Sequence, residues 1–274
     1  MRKIFLVSLI IFSSLFLTGC SLKKSKNASK EMPEASPTVE PAKPIEQTIT
    51  TRPFVSLTAT TDNHWLTIEM KNIPKSVLSL EYELLYFADV EGNKVERGVS
   101  TAGKAVDLNG QSVFSKKILL GSASCTTGTC KYKYDEGVTE GALCLILNSP
   151  GGKEKYETAY RIQKGKEGSG GLTTGDGVFS FVSSGLSPTA SYLTISSIGV
   201  PAQLPTGVVP KTIPYAIFSS GAIKGGTVAF KTTLTTTVSI YAYDGKSWSK
   251  LTTQTSNGEA KATSSGQSIF ILAE

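Results

Sequence analysis

Apolar and polar residues alternate with period two along most of the chain beyond residue 53. In VSLTA, Val55, Leu57 and Ala59 share one face. In HWLTIEM, Leu66, Ile68 and Met70 lie together, opposite Thr67 and Glu69. LEYELLY sets Leu80, Tyr82, Leu84 and Tyr86 against Glu81 and Glu83, and YETAYRI groups Tyr156, Thr158, Tyr160 and Ile162. Successive side chains of a strand point to opposite faces, so this alternation predicts half-buried β-strands. Turn formers separate the segments: Asp62-Asn63, Gly92-Asn93, Asn109-Gly110 and Gly151-Gly152. Pro74 and Pro150 fall between predicted strands, where a missing N–H costs no ladder bond. No segment sustains the 3.6-residue helical period with capping signals over a dozen residues. The fold class is therefore all-β.

The pattern continues to the C-terminus. Strands are predicted at 178–183, 191–198, 213–218, 226–231, 236–243, 246–253, 258–263 and 267–272. IYAYDGKSWSKL reads as a hairpin, with Asp244-Gly245 supplying a tight turn that needs positive φ. The Thr-rich TTLTTTVSIYAY suits strand surfaces. Between the two halves, residues 165–177 are rich in glycine without apolar periodicity, which predicts a flexible linker. A phosphate-cradling glycine loop needs a helix N-terminus behind it, and VFSFV, which follows here, is a strand. The expected organisation is two tandem antiparallel β-sandwich domains, 53–164 and 178–274. The Leu-Xaa-Ile strand after Trp65, the Pro74 loop and the Tyr-rich strand at 80–86 make the first resemble an immunoglobulin or fibronectin type III module in architecture. The inter-sheet cysteine pair flanking a tryptophan is absent. The Asp-Gly-Xaa-Trp hairpin is similar to those of β-sandwich modules on bacterial surface proteins.

Ahead of residue 53 the pattern changes twice. Residues 21–52 are rich in Lys, Glu, Ser and Pro, with prolines at 33, 37, 41 and 44. So little apolar area cannot offset the conformational entropy of folding, so 20–52 reads as a disordered spacer. As a coil it spans on the order of 30 Å, and fully extended about 100 Å. Residues 4–17 form an apolar run behind Arg2 and Lys3. The run is shorter than the roughly 20 residues of a membrane-spanning helix and fits a signal peptide over 1–19. It ends in Leu17-Thr18-Gly19-Cys20, which resembles the lipobox of bacterial lipoproteins. That resemblance implies cleavage before Cys20 and attachment of diacylglycerol to its sulfur, often with a palmitate-like acyl group on the new amine. Two acyl chains at about 0.8 kcal/mol per buried methylene make such an anchor effectively permanent. The chain is then a protein of the bacterial cell envelope, held on the extracytoplasmic side of the membrane.

Charge changes this picture little. The formal net charge is +6, and without Arg2 and Lys3, 26 basic side chains remain against 22 acidic. The lysines read as scattered, with no basic stripe interleaved with aromatics, so nucleic acid is not an expected partner. The cluster Lys23, Lys24, Lys26 and Lys30 reads as a solvated basic tether close to lipid headgroups.

With Cys20 assigned to lipid, Cys125, Cys130 and Cys144 remain. An exported protein permits a disulfide. Cys125 and Cys130 flank the short loop TTGT, where a bridge constrains the unfolded chain by about 2 kcal/mol. Cys144 lies in ALCLIL, which reads as a buried strand with a packed thiol; a pairing of Cys144 with one of the other two is the alternative. His64 is the sole histidine and no second Cys-Xaa-Xaa-Cys pair exists, so no metal site is expected. Asp135-Glu136 with Glu140 offer hard oxygens to Ca²⁺ but lack the spacing of a calcium loop, and read as a solvated segment. In the second half Asp244, Glu259 and Glu274 are too few to suggest a paired-carboxylate glycosidase. Trp65 and Trp248, with Tyr132, Tyr134, Tyr241 and Tyr243, could form a platform that takes sugar rings or a partner surface, but tryptophan in a small sandwich more often fills the core.

The expected function is display: a lipid-anchored envelope protein that presents two β-sandwich modules for binding or structural roles, without catalysis or cofactor. Its partner would be an envelope protein or glycan. The alternative is an envelope hydrolase with its site near His64 and the 125–140 loop, which would need a nucleophile and a carboxylate beside that histidine.

Overall fold

A computed structural model describes residues 48–165, 171–233 and 237–274. The signal peptide, Cys20 and nearly all of the spacer lie outside the described residues. Among those described there are strands and no helices. In chain order the strands are β1 (Phe54–Ala59), β2 (Trp65–Lys71), β3 (Ser79–Val90), β4 (Asn93–Ser100), β5 (Val106–Asp107) and β6 (Phe114–Leu119). Then come β7 (Gly121–Thr126), β8 (Thr129–Tyr134), β9 (Glu140–Ser149), β10 (Gly152–Lys164), β11 (Leu172–Thr173), β12 (Phe179–Val182) and β13 (Ser191–Ser196). The last are β14 (Tyr215–Ser219), β15 (Gly226–Lys231), β16 (Ser239–Tyr243), β17 (Trp248–Lys250), β18 (Thr253–Ser256), β19 (Glu259–Ser264) and β20 (Ile269–Ala273).

All the pairings are antiparallel and form four sheets. A three-stranded sheet has the order β1-β2-β6, and a five-stranded sheet the order β11-β12-β15-β19-β18. A ten-stranded sheet runs β17-β16-β20-β14-β13-β10-β9-β3-β4, with β5 paired to β3. The ribbon β7-β8 is a sheet of its own.

The period-two faces of the first half are where the sequence places them. Leu66, Ile68 and Met70 of β2 are fully buried, as are Leu80 and Leu84 of β3 and Tyr160 of β10. They meet between the three-stranded sheet and the ten-stranded sheet, with Val55, Leu57, Leu143, Leu145 and Leu147. The predicted turns form as well: Asn63, Asn109, Gly92, Gly110 and Gly152 all have positive φ.

The two halves, however, are joined by one sheet. β10, on the near side of residues 165–177, pairs with β13 on the far side, from Tyr160↔Ile195 to Lys164↔Ser191. The cause is legible in β13, SYLTIS, every residue of which is buried. Leu193 and Ile195 enter the first core and Tyr192 enters a second. β14, β16 and β20 divide in the same way: Ala216, Tyr241 and Ile271 face the first core, while Ile217, Ile240 and Phe270 face the second. A strand apolar on both faces needs a layer on each side. The three-stranded sheet covers one face and the five-stranded sheet the other. The described residues accordingly form one compact unit.

The segment read as a linker differs in the same sense. Residues 166–170 lie outside the described residues, but 171–177 are folded. Leu172 is fully buried in the second core, and β11 pairs with β12. Asp176 accepts from Val178 N–H at 3.0 Å and from the Tyr215 hydroxyl at 2.7 Å. The glycines here serve close approach: the Gly175 Cα faces Ala159, whose Cβ would stand 3.0 Å from any side chain added. The predicted strand 246–253 is also two strands, because Leu251 N–H donates to Ile240 O at 2.8 Å and the chain then leaves β17 in one sheet for β18 in another.

Candidate functional site

The β7-β8 ribbon projects from the end of the sandwich beside the β2 N-terminus. Its register is Gly121↔Tyr134, Ala123↔Tyr132, Cys125↔Cys130 and Thr126↔Thr129. Thr127 (φ 44°) and Gly128 (φ 85°) both take positive φ, the conformation of a two-residue hairpin turn whose twist matches the flanking strands. Such a turn closes on the Thr126–Thr129 pair and leaves Cys125 and Cys130 at the next pair, where opposed Cα atoms come closest. They are disulfide-bonded, with Cα atoms 4.1 Å apart. The loop expected between these cysteines is thus the tip of a hairpin.

From Ser122 to Thr129 every residue is exposed, so this stretch contributes nothing to either core. Its base is fixed instead by one polar node. The Tyr86 hydroxyl donates to Asp135 Oδ2 at 2.8 Å and accepts from Gly121 N–H at 3.1 Å, and Arg97 Nε lies 3.4 Å from the same carboxylate oxygen. Asp135 N–H donates to Leu120 O, and Leu120 N–H to His64 O.

One face of the ribbon is aromatic. Tyr132 and Tyr134, two residues apart, hold near-parallel rings with centroids 6.0 Å apart. Tyr134 stacks on His64 at 3.8 Å, and Tyr132 meets Trp65 edge-on at 5.7 Å. Lys117 Nζ sits 4.7 Å from the centroid of Trp65. Tyr132 remains 46 % exposed. By strand alternation Lys131 and Lys133 occupy the opposite face of the ribbon. Of the candidate aromatics, the structure therefore gathers Trp65, Tyr132 and Tyr134. It separates Trp248 and Tyr241, which belong to the first core, Trp248 donating its indole N–H to Ala202 O at 3.0 Å. Tyr243 packs against Trp248.

Lysine and aromatic side chains do interleave here, in Lys131-Tyr132-Lys133-Tyr134 and in Lys117 over Trp65. The sequence reading of scattered lysines missed this because Trp65 and Lys117 come from different strands. The KYKY run was its only local signal.

Beside the stack, a cleft of about 380 Å³ is lined by His64, Asp62, Asp135, Glu136, Thr139 and Lys164 among others. His64 Nδ1 lies 3.0 Å from Asp62 Oδ2. The Thr60 hydroxyl donates to Asp62 Oδ1 at 2.5 Å and His64 N–H at 3.0 Å. These bonds, Thr60 first, hold the Asp62 carboxyl below its ordinary pKa. A histidine with a carboxylate behind it is two-thirds of a hydrolytic triad. No serine or cysteine lines the cleft, whose one hydroxyl comes from Thr139. The acids of the 135–140 segment diverge. Asp135 is engaged by Tyr86 and Arg97, and Glu140 by Lys94 at 2.8 Å. Among the described residues no group of three or more His, Cys, Asp or Glu could hold a metal ion.

Cys144 is a free thiol. It does not sit in the core, as expected of ALCLIL: Leu143, Leu145 and Leu147 take the inner face of β9, and Cys144 lies half-buried on the outer one. It is flanked by Glu83 and Glu157 across the neighbouring strands. Partial burial first, and the two glutamates after it, push its pKa up against the opposing pull of Lys155. Among the described residues no helix is long and apolar enough to cross a membrane. No family model, curated protein or solved structure matches this chain.

Proposed function

We propose that the protein is a lipid-anchored component of the bacterial cell envelope. The lipid is on Cys20, the spacer up to residue 52 lifts the β-sandwich body from the membrane, and the body binds through the β7-β8 ribbon without catalysis. The observation that carries the binding role is the ribbon itself. A two-stranded hairpin is marginal in water, yet this one is exposed from Ser122 to Thr129 and held by a disulfide and an aromatic stack. The cores gain nothing from it, so its surface is what the chain keeps. The anchor rests on the lipobox residues Leu17-Thr18-Gly19-Cys20.

Cell fractionation tests this reading. The Cys20→Ala protein should leave the membrane fraction, because a chain without its acyl groups loses the methylene burial that retains it. Retention of Cys20→Ala in the membrane after residues 1–19 have been cleaved overturns the anchor.

A second reading, an envelope hydrolase, draws on the His64–Asp62 pair at the mouth of the cleft. It requires Thr139 or a bound water as nucleophile. Ester or amide hydrolysis by the purified protein that disappears in His64→Ala would establish it in place of pure binding.

A further inference from the structure

We infer that the aromatic face of the β7-β8 ribbon, centred on Tyr132 with Trp65 and Lys117 beside it, binds an anionic polysaccharide. The inference rests on the display reading above and names its ligand.

Three features of the surface fix the ligand chemistry. The first is ring availability. His64 covers Tyr134, and Lys117 and Tyr132 cover Trp65, but Tyr132 keeps 46 % of its surface open. An open tyrosine ring held in place by neighbours is a rigid platform for the apolar face of a sugar, with little side-chain entropy left to lose. The second is charge. From residue 108 to residue 134 the chain has Lys116, Lys117, Lys131 and Lys133 and no acidic residue. Lys71, Lys94 and Lys153 elsewhere in this half make ion pairs with glutamates. The lysines around the ribbon have none among the described residues, so their charge is available to a polyanion. Lys117 lies beside Trp65 on the aromatic side, while Lys131 and Lys133, on the other face of the ribbon, add longer-range attraction to a polyanion. The third is the tip. Thr126, Thr127 and Thr129 offer hydroxyls, and with Gly128 between them the tip has no large apolar side chain to enter hydrocarbon, so a lipid surface fits it poorly. The hydroxyls suit the polar substituents of a glycan.

The test uses residues 20–274 with Cys20→Ala, so that neither the apolar 4–17 run nor an acyl group contributes. It is run in native gels containing polygalacturonate, dextran or polyaspartate, and by co-sedimentation with phosphatidylglycerol vesicles. Polygalacturonate should retard the protein, and dextran much less. Affinity should fall about fivefold in Tyr132→Ala and stay unchanged in Tyr132→Phe, since stacking needs the ring alone. The Lys131→Ala/Lys133→Ala double variant should weaken binding and flatten its salt dependence. All these side chains are exposed, so the variants fold. The inference is overturned if polyaspartate binds as well as polygalacturonate and Tyr132→Ala changes nothing, because the contact is then ionic only. It is also overturned if the vesicles are bound in preference to the glycan, or if neither is bound. Glycan binding by the purified chain does not depend on anchoring. Failure here beside normal release of Cys20→Ala from membranes removes the ligand and leaves the anchor standing.

Discussion

The Tyr86 hydroxyl, donating to Asp135 Oδ2 at 2.8 Å, ties the ten-stranded sheet to the base of the ribbon that carries the candidate site. The Tyr86 hydroxyl oxygen also accepts from Gly121 N–H at 3.1 Å, so a single phenol holds both ends of β7-β8. Tyr86→Phe removes a charge-assisted bond and leaves Gly121 N–H without its acceptor. The expected cost is about 1–3 kcal/mol, read from denaturant unfolding. Hydrogen exchange should quicken first in the ribbon.

Alkali should act at the same point. Burial first, and the Asp135 carboxylate second, push the Tyr86 pKa from 10.0 up to about 12. A folded pKa above the unfolded value favours the neutral phenol. Its contribution is complete below the unfolded pKa and is lost as pH rises through the folded one. Stability should therefore drop across the window between those two values, and Tyr86→Phe should shrink the drop. Denaturant midpoints measured on either side of the window, with tyrosinate absorbance, check this.

Reduction of Cys125–Cys130 should loosen the ribbon and spare the body. The bridge closes a loop of few residues, so its removal costs about 2 kcal/mol, confined to a unit with no residue in either core from Ser122 to Thr129. The Cys125→Ser/Cys130→Ser protein should keep the melting temperature of the parent and lose amide protection at Lys131 and Tyr132. A fall of many degrees in the melting temperature would show that the ribbon supports the sandwich.

The turn should be improvable. Thr127 is β-branched and sits at φ 44°, where such residues are strained, while Asn tolerates this region. Thr127→Asn should stabilise the hairpin by about 0.5–1 kcal/mol, visible as slower exchange at the tip in the reduced protein.

How much of this could be read in advance varied with the kind of interaction. Alternation made β1, β2, β3 and β10 legible, because one face of each is buried and the other is not. β4 was invisible: Asn93–Ser100 is exposed almost throughout, so its sequence carries no burial pattern. The β7-β8 ribbon was invisible for the same reason, apart from its cysteines. The linker reading of 165–177 failed over 171–177 because glycine signals backbone freedom and tight packing alike. Gly175 against Ala159 and the buried Leu172 decide between them only in three dimensions. Of the site, His64 and the 125–140 segment each stand out in the sequence, but their stacking through Tyr134 depends on pairing between distant strands.

The shared sheet gives the last prediction. Two separate sandwiches would melt independently. Here β13 sends Leu193 and Ile195 into one core and Tyr192 into the other, and β14, β16 and β20 do likewise. Neither core survives loss of these strands, so unfolding should be one cooperative event. Leu193→Ala and Phe230→Ala, buried in the first and second cores respectively, should each cost about 2–5 kcal/mol. Both should lower the same transition. Calorimetry supplies the criterion: equal calorimetric and van't Hoff enthalpies fit a single unit. Two resolved peaks, with Phe230→Ala moving only one of them, would show that the cores fold apart and that the β10-β13 pairing does not couple them.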